Sequence, residues 1–311
     1  MSQPARRNVA AHATPPIPTA QLRAFHAVAT SRGFTDAARM LGITQPAVSM
    51  QVRALETTYG VELFRRRRAG AALTDLGAEL LERVRPMFAL EVEAAELLGA
   101  AGAGLRGHLR VGADAPFRAV PALARFRVEH PAMQISLTLG NSAETLRDLL
   151  DGRTDVAFLS DRNDDPRLFA APIARSVQVV IVATTHALAG RKRVRLRDLA
   201  EVPMIVREQG SSTRRAFERA IAEARVSPPV VLELGSREAV LEGVAAGIGA
   251  AVVIASERGH DARIVALPIA DAVIEHIDYV VCLQERRRLR GIRAFLAIPP
   301  RLPATERRAR R

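Results

Sequence analysis

The sequence ITQPAVSMQVRALE, residues 43–56, combines an apolar helical face with a row of small polar side chains. Val48, Val52 and Leu55 recur at helical spacing, which predicts one buried face. The opposite face and its flanks carry Gln45, Pro46, Ser49, Met50, Gln51, Arg53 and Thr57. Glutamine can pair with adenine edges in the major groove of DNA, and serine can donate or accept there. Arg53 stands further along the helix, where it is better placed to contact a phosphate.

Four consecutive arginines follow this helix in the segment VELFRRRRAGAALT. The segment is predicted to form two short strands around a glycine-containing turn, which gives a small hairpin, or wing, with a basic tip. Arginines at such a tip can lie along or in the minor groove. The candidates are Arg65, Arg66, Arg67 and Arg68. The alternative interpretation of helix and wing is a solvated helix face beside a chance cluster of arginines.

Three short helices with tight turns are predicted to position these side chains. The first begins at Thr19, and Gly33 ends it. Thr35 is expected to cap a second helix over residues 36–41, and Thr44 is expected to cap the third. This order predicts a helix-turn-helix unit.

A long helix with an apolar stripe is predicted from Asp75 to about Ala101. It is too long to serve one small domain, so we expect it to pair with a second copy of the chain. Pro86 removes one helical hydrogen bond and is expected to kink or break this helix. A glycine-rich linker follows, Gly99 to His108.

After the linker, short apolar strands alternate with helices, which predicts an α/β fold with parallel sheets. The predicted strands are HLRVGA, ISLTLG, TDVAFLS, VQVVIVAT, PMIVRE, VVLELG, GAAVVIA and DYVVCLQ. The predicted helices start near Phe117, Ser142, Ser211 and Ser236. The length of this part suits two small lobes better than one sheet.

The chain has 311 residues and a formal net charge of +12, and Lys192 is its only lysine. This charge favours an anionic partner, nucleic acid first, although arginine-rich usage in a GC-rich genome is an alternative. Cys282, the only cysteine, is predicted to be a core residue, which excludes a disulfide framework. The sequence contains no signal peptide or membrane-span pattern, so we expect a soluble cytoplasmic protein.

Residues suited to catalysis or metal binding are not grouped in the sequence. The 7 histidines are scattered without the spacing of metal ligands. The serine-rich segments lack a nearby histidine base, and no P-loop is present. We therefore expect a protein that is not an enzyme and that has no cofactor.

Several motifs occur in order and at matching spacing. The segments QLRAFHAVATSRGFTDAARMLGITQPAVSMQVRALETTYGVELFRR and LTDLG resemble the DNA-binding domain of LysR-type transcriptional regulators. GHLRVGA, DGRTDVAFLS and GVAAGIGAAVV resemble the effector-binding domain of the same family. The resemblance implies an α+β and α/β protein. Its parts would be an N-terminal winged helix-turn-helix, a long linker helix and a C-terminal two-lobed periplasmic-binding-protein-like (type 2) α/β effector domain.

The predicted boundaries are a disordered tail at 1–18, the DNA-binding domain at 19–78, the linker and dimerisation helix at 79–104, the effector-binding domain at 105–300 and a basic tail at 301–311. By resemblance, Gln45, Pro46 and Ser49 occupy positions that touch base edges. Thr35 and Arg53 match positions near the DNA backbone, and Arg65 matches the wing. Met50 departs from the family pattern, which often has a basic or polar residue there.

Polar residues also stand at helix starts in the α/β part. They are Asp114, Asn141, Ser142, Ser211, Ser212, Thr213, Arg214, Ser236 and Arg237. Helix N-termini offer free N–H groups and a positive field, so several that meet in one cleft would bind an anion. For any single serine the alternative is plain N-capping. Together, in a fold that resembles the family's inducer domain, they favour a ligand cleft.

The motifs LGNSAETLRDLLDGRTDVAF, REQGSSTRR and LGSREAVLEGVAAGIG also resemble the LysR-type subgroup associated with aminoethylphosphonate catabolism genes. A phosphonate would suit the Ser/Thr-rich helix starts and Arg214. A ligand ammonium would suit a carboxylate, for which Asp114, Asp161 and Glu208 are candidates. Each of these acids has the alternative of a solvated or salt-bridged surface group.

The resemblance implies a ligand-responsive regulator whose partners are double-stranded DNA, a small anionic effector and further copies of itself, as a dimer or tetramer. RNA polymerase is a candidate protein partner, and no membrane is expected. The alternatives are a cytoplasmic solute-binding protein and an architectural DNA-binding protein without ligand-switched regulation.

Overall fold

The computed structural model describes residues 16–31, 33–67, 70–99, 104–160 and 164–299. Two predicted site residues, Arg68 and Asp161, lie outside the described residues, as do the side chains of Arg66 and Arg67. The predicted basic tail and most of the predicted N-terminal tail also lie outside them. The chain divides into two compact units, Met1–Met87 and Phe88–Arg311.

The first unit is a three-helix bundle with a two-stranded hairpin. Its elements are α1 Thr19–Thr30, α2 Phe34–Leu41, α3 Gln45–Tyr59, β1 Phe64–Arg67 and β2 Gly70–Leu73, followed by the start of α4 Asp75–Gly99. The predicted apolar face of α3 is buried, since Val48, Val52 and Leu55 are at most 2% exposed. The rings of Phe25 and Phe64, 5.5 Å apart, pack α1 against the hairpin. The sequence therefore predicted this unit correctly at the level of its elements.

The turns of the bundle follow the predicted caps with one exception. Thr44 Oγ1 accepts the Ala47 N–H at 3.4 Å at the start of α3, as expected. Thr35 does not cap α2, which begins one residue earlier, at Phe34. Gly33 holds the capping position with φ 130°, a backbone conformation that a residue with a Cβ rarely adopts. Thr35 therefore lies within the first turn of α2.

The helix α4 runs without interruption from Asp75 to Gly99, so of the kink or break predicted at Pro86 the break is not observed. Hydrogen bonds of Thr74 connect the start of α4 to the segment that precedes β1. Thr74 Oγ1 accepts the Gly77 N–H at 3.0 Å and donates to the Glu62 carbonyl at 2.8 Å. Gly77 is required there, because a Cβ would lie 2.2 Å from the Leu63 carbonyl oxygen.

The second unit is a nine-stranded mixed sheet with helices on both faces. Its strands are β3 Gly107–Ala113, β4 Met133–Leu139, β5 Val156–Ser160, β6 Leu168–Ala183, β7 Met204–Arg207, β8 Val230–Leu234, β9 Ala250–Ile254, β10 Ile264–Pro268 and β11 Glu275–Leu283. Its α-helices are α5 Pro116–Glu129, α6 Ser142–Leu150, α7 Ser212–Glu223, α8 Arg237–Ala245 and α9 Arg290–Leu296. The strand order is β4-β3-β5-β11-β6-β9-β7-β8, with β10 also paired to β6.

Two lobes divide this sheet. Lobe 1 contains β3, β4, β5, α5, α6 and α9, and lobe 2 contains β7 to β10, α7 and α8. The 16 residues of β6 pass through both lobes, and their two ends enter different cores. The prediction of parallel sheets holds for β3 with β4 and β5, and for β7 with β8 and β9. It is wrong for β6 and β11, which pair antiparallel because they carry the chain between the lobes.

The cores of the lobes consist mainly of aliphatic side chains, with Phe126, Phe158 and Phe295 in lobe 1 and Phe217 in lobe 2. Cys282 is fully buried in the core of lobe 1, and burial raises the pKa of its thiol to about 12. None of the helices in the described ranges is long and apolar enough to cross a membrane.

Candidate functional sites

The exposed side of α3 presents the polar residues that the sequence singled out. Gln45, Pro46 and Arg53 are exposed, Met50 is 66% exposed, and Ser49 is half-buried. Gln45 Nε2 donates to Ser49 Oγ at 2.9 Å, so these two side chains already form a pair on the helix surface. Such a pair holds an amide and a hydroxyl at a fixed spacing, which suits the recognition of base edges.

The hairpin is fastened to α3 by a residue that the sequence analysis did not single out. Glu56 Oε1 accepts the Leu63 N–H at 2.8 Å and the Phe64 N–H at 3.2 Å. This contact sets the position of β1 relative to α3. In the sequence, a carboxylate near the end of a helix is only a weak indication of a contact with the following strand, because most such residues are solvated.

The predicted backbone contacts lie on the surface of the same unit. Thr35 is exposed in the first turn of α2. The Arg65 side chain is 64% exposed, and its guanidinium lies 4.0 Å from the Asp75 carboxylate, a distance that leaves the charge available to a phosphate. The backbone of Arg66 and Arg67 belongs to β1.

A buried polar cluster joins lobe 1 to lobe 2. Asp114 follows β3, Ser142 opens α6 and Ser212 opens α7. Ser142 Oγ donates to Asp114 Oδ2 at 2.7 Å and lies 3.0 Å from Ser212 Oγ. All three residues are at most 7% exposed. The start of α6 follows β4 in lobe 1 and the start of α7 follows β7 in lobe 2, so the carboxyl ends of parallel strands from both lobes face this cluster.

Ser160 and Asp278 extend this interlobe cluster along the sheet. The Ser160 N–H donates to Asp114 Oδ2 at 2.9 Å, and Ser160 Oγ lies 3.3 Å from Asp278 Oδ1. Arg118 Nε lies 2.9 Å from Asp278 Oδ2. Burial raises the pKa of Asp278, while the positive charge of Arg118 opposes this shift. The cluster therefore contains a carboxyl group that gains a proton more readily than usual.

Arg237, at the start of α8, connects lobe 2 to Asp114 from the other side. Its guanidinium donates to the Asp114 carbonyl and forms an ion pair with Glu257. The Glu257 side chain is buried, which raises its pKa to about 7 against the opposing charge of Arg237. This acid is consequently poised to change its charge near neutral pH.

Gln178 closes the cluster within β6. Its Nε2 donates to the Thr213 carbonyl at 2.8 Å and lies 2.7 Å from His276 Nε2. Gln178 and His276 are both at most 2% exposed. Buried polar groups of this kind are stable only when hydrogen-bonded, so their alignment is strongly determined.

The predicted effector residues fall into two groups. Asp114, Ser142, Ser212 and Arg237 share the cluster, and Ser211 and Thr213 are buried beside Ser212. The remaining four have local partners. They are Asn141, which forms a capping box with Glu144; Ser236, which caps α8; Glu208, which pairs with Arg207; and Arg214, which pairs with Glu218 and Glu233.

Sequence reasoning did not select six members of the cluster: Arg118, Ser160, Gln178, Glu257, His276 and Asp278. Three of them interrupt apolar strands, as in SVQVVIVA and EHIDYVVCL. A polar residue inside a buried strand is a usable signal, because burial of an unpaired polar group is unfavourable. The strand order decides which of these residues meet.

Comparison with known proteins gives matches over both units. Residues 19–85 match the family described as bacterial regulatory helix-turn-helix protein, lysR family, and residues 102–298 match the LysR substrate binding domain. The HTH-type transcriptional regulator CfxR of Cupriavidus necator is 31% identical over 272 residues, which cover 86% of each chain.

Two solved structures share the architecture. A full-length OxyR variant from Pseudomonas aeruginosa superposes with a TM-score of 0.77 at 21% identity, over 91% of this chain and 94% of that one. The Synechocystis CcmR regulatory domain in complex with 2-PG has a TM-score of 0.57 at 25% identity, over 64% of this chain and 100% of that one.

Proposed function

This chain belongs to the LysR family of transcriptional regulators, and from that membership we propose how it recognises DNA and how it is switched. It is a DNA-binding regulator with an effector-binding domain and not an enzyme. In the proposal, residues 19–78 hold the DNA, with the α3 N-terminus in the major groove and the wing beside it. Residues 79–104 pair copies of the chain, and residues 105–300 bind a small effector between the lobes.

The contact between Ser142 and Ser212 in the buried cluster carries the effector part of the proposal. A molecule that enters between the lobes must exchange hydrogen bonds with this cluster. A ligand shifts the placement of the lobes only if it binds one arrangement better than the other. The direct hydrogen bonds between the lobes exist in only one arrangement of the lobes. A ligand that replaces these hydrogen bonds therefore binds the two arrangements with different affinities.

The charges of the cluster favour a ligand that carries both an ammonium and an acidic group. Asp114 and Asp278 offer carboxyl oxygens, and the α7 start offers hydroxyls and free N–H groups. Aminoethylphosphonate has both groups, which supports it as one candidate. The 2-PG bound by the CcmR regulatory domain supports a second candidate. Arg214 would not serve the acidic group unless its pairs with Glu218 and Glu233 opened.

The apolar residues of α4 support self-association through this helix. Leu90 and Leu98 are 60% and 85% exposed, although they belong to the predicted apolar stripe. A second copy of α4 would cover such a stripe. Replacement of Leu90 by Glu is expected to shift the chain toward monomer in analytical ultracentrifugation. An unchanged oligomer would assign self-association to another surface.

DNA recognition is tested by titration of a fragment of the chain's own promoter and of random DNA at increasing salt. Nonspecific binding falls steeply with salt, so a specific regulator keeps its preference for the promoter fragment. Simultaneous release of both fragments would overturn the proposal.

Effector binding is tested by calorimetry on the full chain with aminoethylphosphonate and, separately, with 2-PG. We expect saturable heat with one of them. If aminoethylphosphonate binds, Asp114→Asn should abolish its binding because the ammonium loses its partner. Asp261→Asn, at a half-buried acid that pairs with Arg263 outside the cluster, should not. Absence of heat with both ligands would remove both candidate effectors without affecting the result of the DNA titration.

A further inference from the structure

A pocket of about 270 Å³ lies in lobe 1 between α6 and the carboxyl ends of β3 and β4. We call it the α6 pocket. Its lining includes Gly112, Gly140, Glu144, Thr145, Arg147 and Arg153. None of these residues belongs to the interlobe cluster described above.

Thr145 lines the α6 pocket and carries a buried hydroxyl. The residue is 3% exposed, and within the described parts of the chain its Oγ1 has no hydrogen-bond partner. Thr154, also 3% exposed, lies beside Gly112, and its hydroxyl likewise has no hydrogen-bond partner among the described residues. Buried hydroxyls are almost always hydrogen-bonded, so an unpaired one at a pocket wall points to a ligand.

Two glycines keep the pocket open. A Cβ at position 112 would lie 3.1 Å from Thr145 Cγ2, and a Cβ at position 140 would lie 3.1 Å from Glu144 Oε2. Both distances are tighter than ordinary van der Waals contact. A methyl group at either position would therefore narrow the space in front of Thr145.

The charges at the rim leave one cation available. Arg153 pairs with Asp148 at 2.6 Å, so this cation is neutralised. Glu144 Oε2 accepts the Asn141 N–H at 3.1 Å, which directs the carboxylate toward the start of α6 but leaves its negative charge at the rim. Arg147 is exposed, and its guanidinium forms no hydrogen bond or ion pair with any residue that the structure describes. A guanidinium suits a planar or tetrahedral oxyanion, which it can bind through two N–H groups.

We propose that the α6 pocket binds a small oxyanion of the carboxylate or phosphate class. Arg147 balances its charge, and the Thr145 hydroxyl donates to one of its oxygens. This site is separate from the interlobe effector site, so the protein would respond to a second small molecule. The two sites share a helix, because Ser142 is the first residue of α6 and Thr145 lies one turn later.

The test is calorimetry on the full chain with inorganic phosphate and with acetate at constant ionic strength. We expect saturable binding of at least one anion. The anion that binds more tightly shows whether the ligand belongs to the phosphate or the carboxylate class. Arg147→Gln should weaken binding about tenfold through loss of a charge-assisted hydrogen bond. Arg127→Gln is the matched control, since Arg127 is also an exposed helical arginine of lobe 1 and should leave binding unchanged.

Thr145→Val separates ligand binding from folding. The variant removes a hydroxyl that has no partner in the described structure, so its thermal stability should equal or exceed that of the wild type. Its anion binding should nevertheless fall. Absence of saturable binding, or binding that survives both Arg147→Gln and Thr145→Val, would overturn the proposal. Binding lost in Ser212→Ala but retained in Arg147→Gln would place the anion between the lobes and would also overturn it.

Discussion

The hydroxyl oxygens of Ser142 and Ser212 lie 3.0 Å apart, although 70 residues separate them in the chain. Each opens a helix, α6 in lobe 1 and α7 in lobe 2. Ser142 donates its proton to Asp114, so it accepts from Ser212 in this contact. The two lobes are thus connected by a hydrogen bond between helix starts, at the place where an effector is proposed to enter.

Ser142→Ala should destabilise the chain more than Ser212→Ala. The first change leaves the buried Asp114 carboxylate with one partner fewer and should cost about 1–3 kcal/mol. The second removes only a neutral hydrogen bond, worth about 1 kcal/mol. Urea unfolding followed by circular dichroism measures both. Equal or reversed losses would mean that Asp114 does not depend on Ser142.

Glu257 should make stability depend on pH near neutrality. Burial raises its pKa from 4.5 to about 7, while Arg237 opposes the shift and Asp114 and Asp278 add to it. The native state therefore holds this proton more tightly than the unfolded state. The resulting stabilisation is complete below pH 4.5 and is lost as the pH rises through about 7.

Glu257→Gln isolates this effect because glutamine does not titrate. The unfolding free energy of the wild type, relative to the variant, should fall between pH 5 and 8, about the range that the shifted pKa defines. Other groups, Asp278 included, titrate in both proteins and cancel to first order. Parallel pH profiles for the two proteins would contradict the prediction.

Asp155→Asn should be among the more destabilising changes in lobe 1. Although burial alone would raise the pKa of Asp155, the hydrogen bond from Arg110 and the charge of Arg286 lower it. Its oxygens lie 2.8 Å from both guanidinium groups. Loss of one partner from a buried ion pair costs about 3–5 kcal/mol.

The matched control for Asp155 is Glu275→Gln, which breaks the exposed pair with Arg175 and should cost less than about 1 kcal/mol. Because the pKa of Asp155 is lowered, its contribution is present at neutral pH and is lost as the pH falls through that pKa. Thermal unfolding at pH 7 compares the two variants. An equal loss of stability in the two variants would show that the buried ion pair contributes no more than the exposed one.

Ser49→Ala and Arg65→Gln should change DNA binding in different ways. Ser49→Ala removes a hydroxyl of the reading face and the partner of Gln45, so promoter preference should fall by about 1–3 kcal/mol. Arg65→Gln should weaken promoter and random DNA equally and reduce the salt slope by about 1. Arg83→Gln, on α4, is the control. The opposite pattern in fluorescence anisotropy would mean that another face docks on the DNA.

The sequence by itself determined the elements of the DNA-binding unit. The spacing of Val48, Val52 and Leu55 defines the buried face of α3, and Thr44 and Gly60 define its ends. These features depend on neighbours within a few residues, so periodicity and capping chemistry are sufficient. The misplaced cap at Thr35 shows the limit, because Gly33 starts α2 through a backbone conformation that spacing does not reveal.

Only the tertiary structure decided which polar residues form the interlobe cluster. Every serine at a helix start looks alike in the sequence, yet Ser142 meets Ser212 while Ser236 only caps its helix. The difference comes from the strand order, in which β6 and β11 run antiparallel between two parallel halves and bring distant strand ends to one edge. Such pairings join residues far apart in the chain, and no local pattern encodes them.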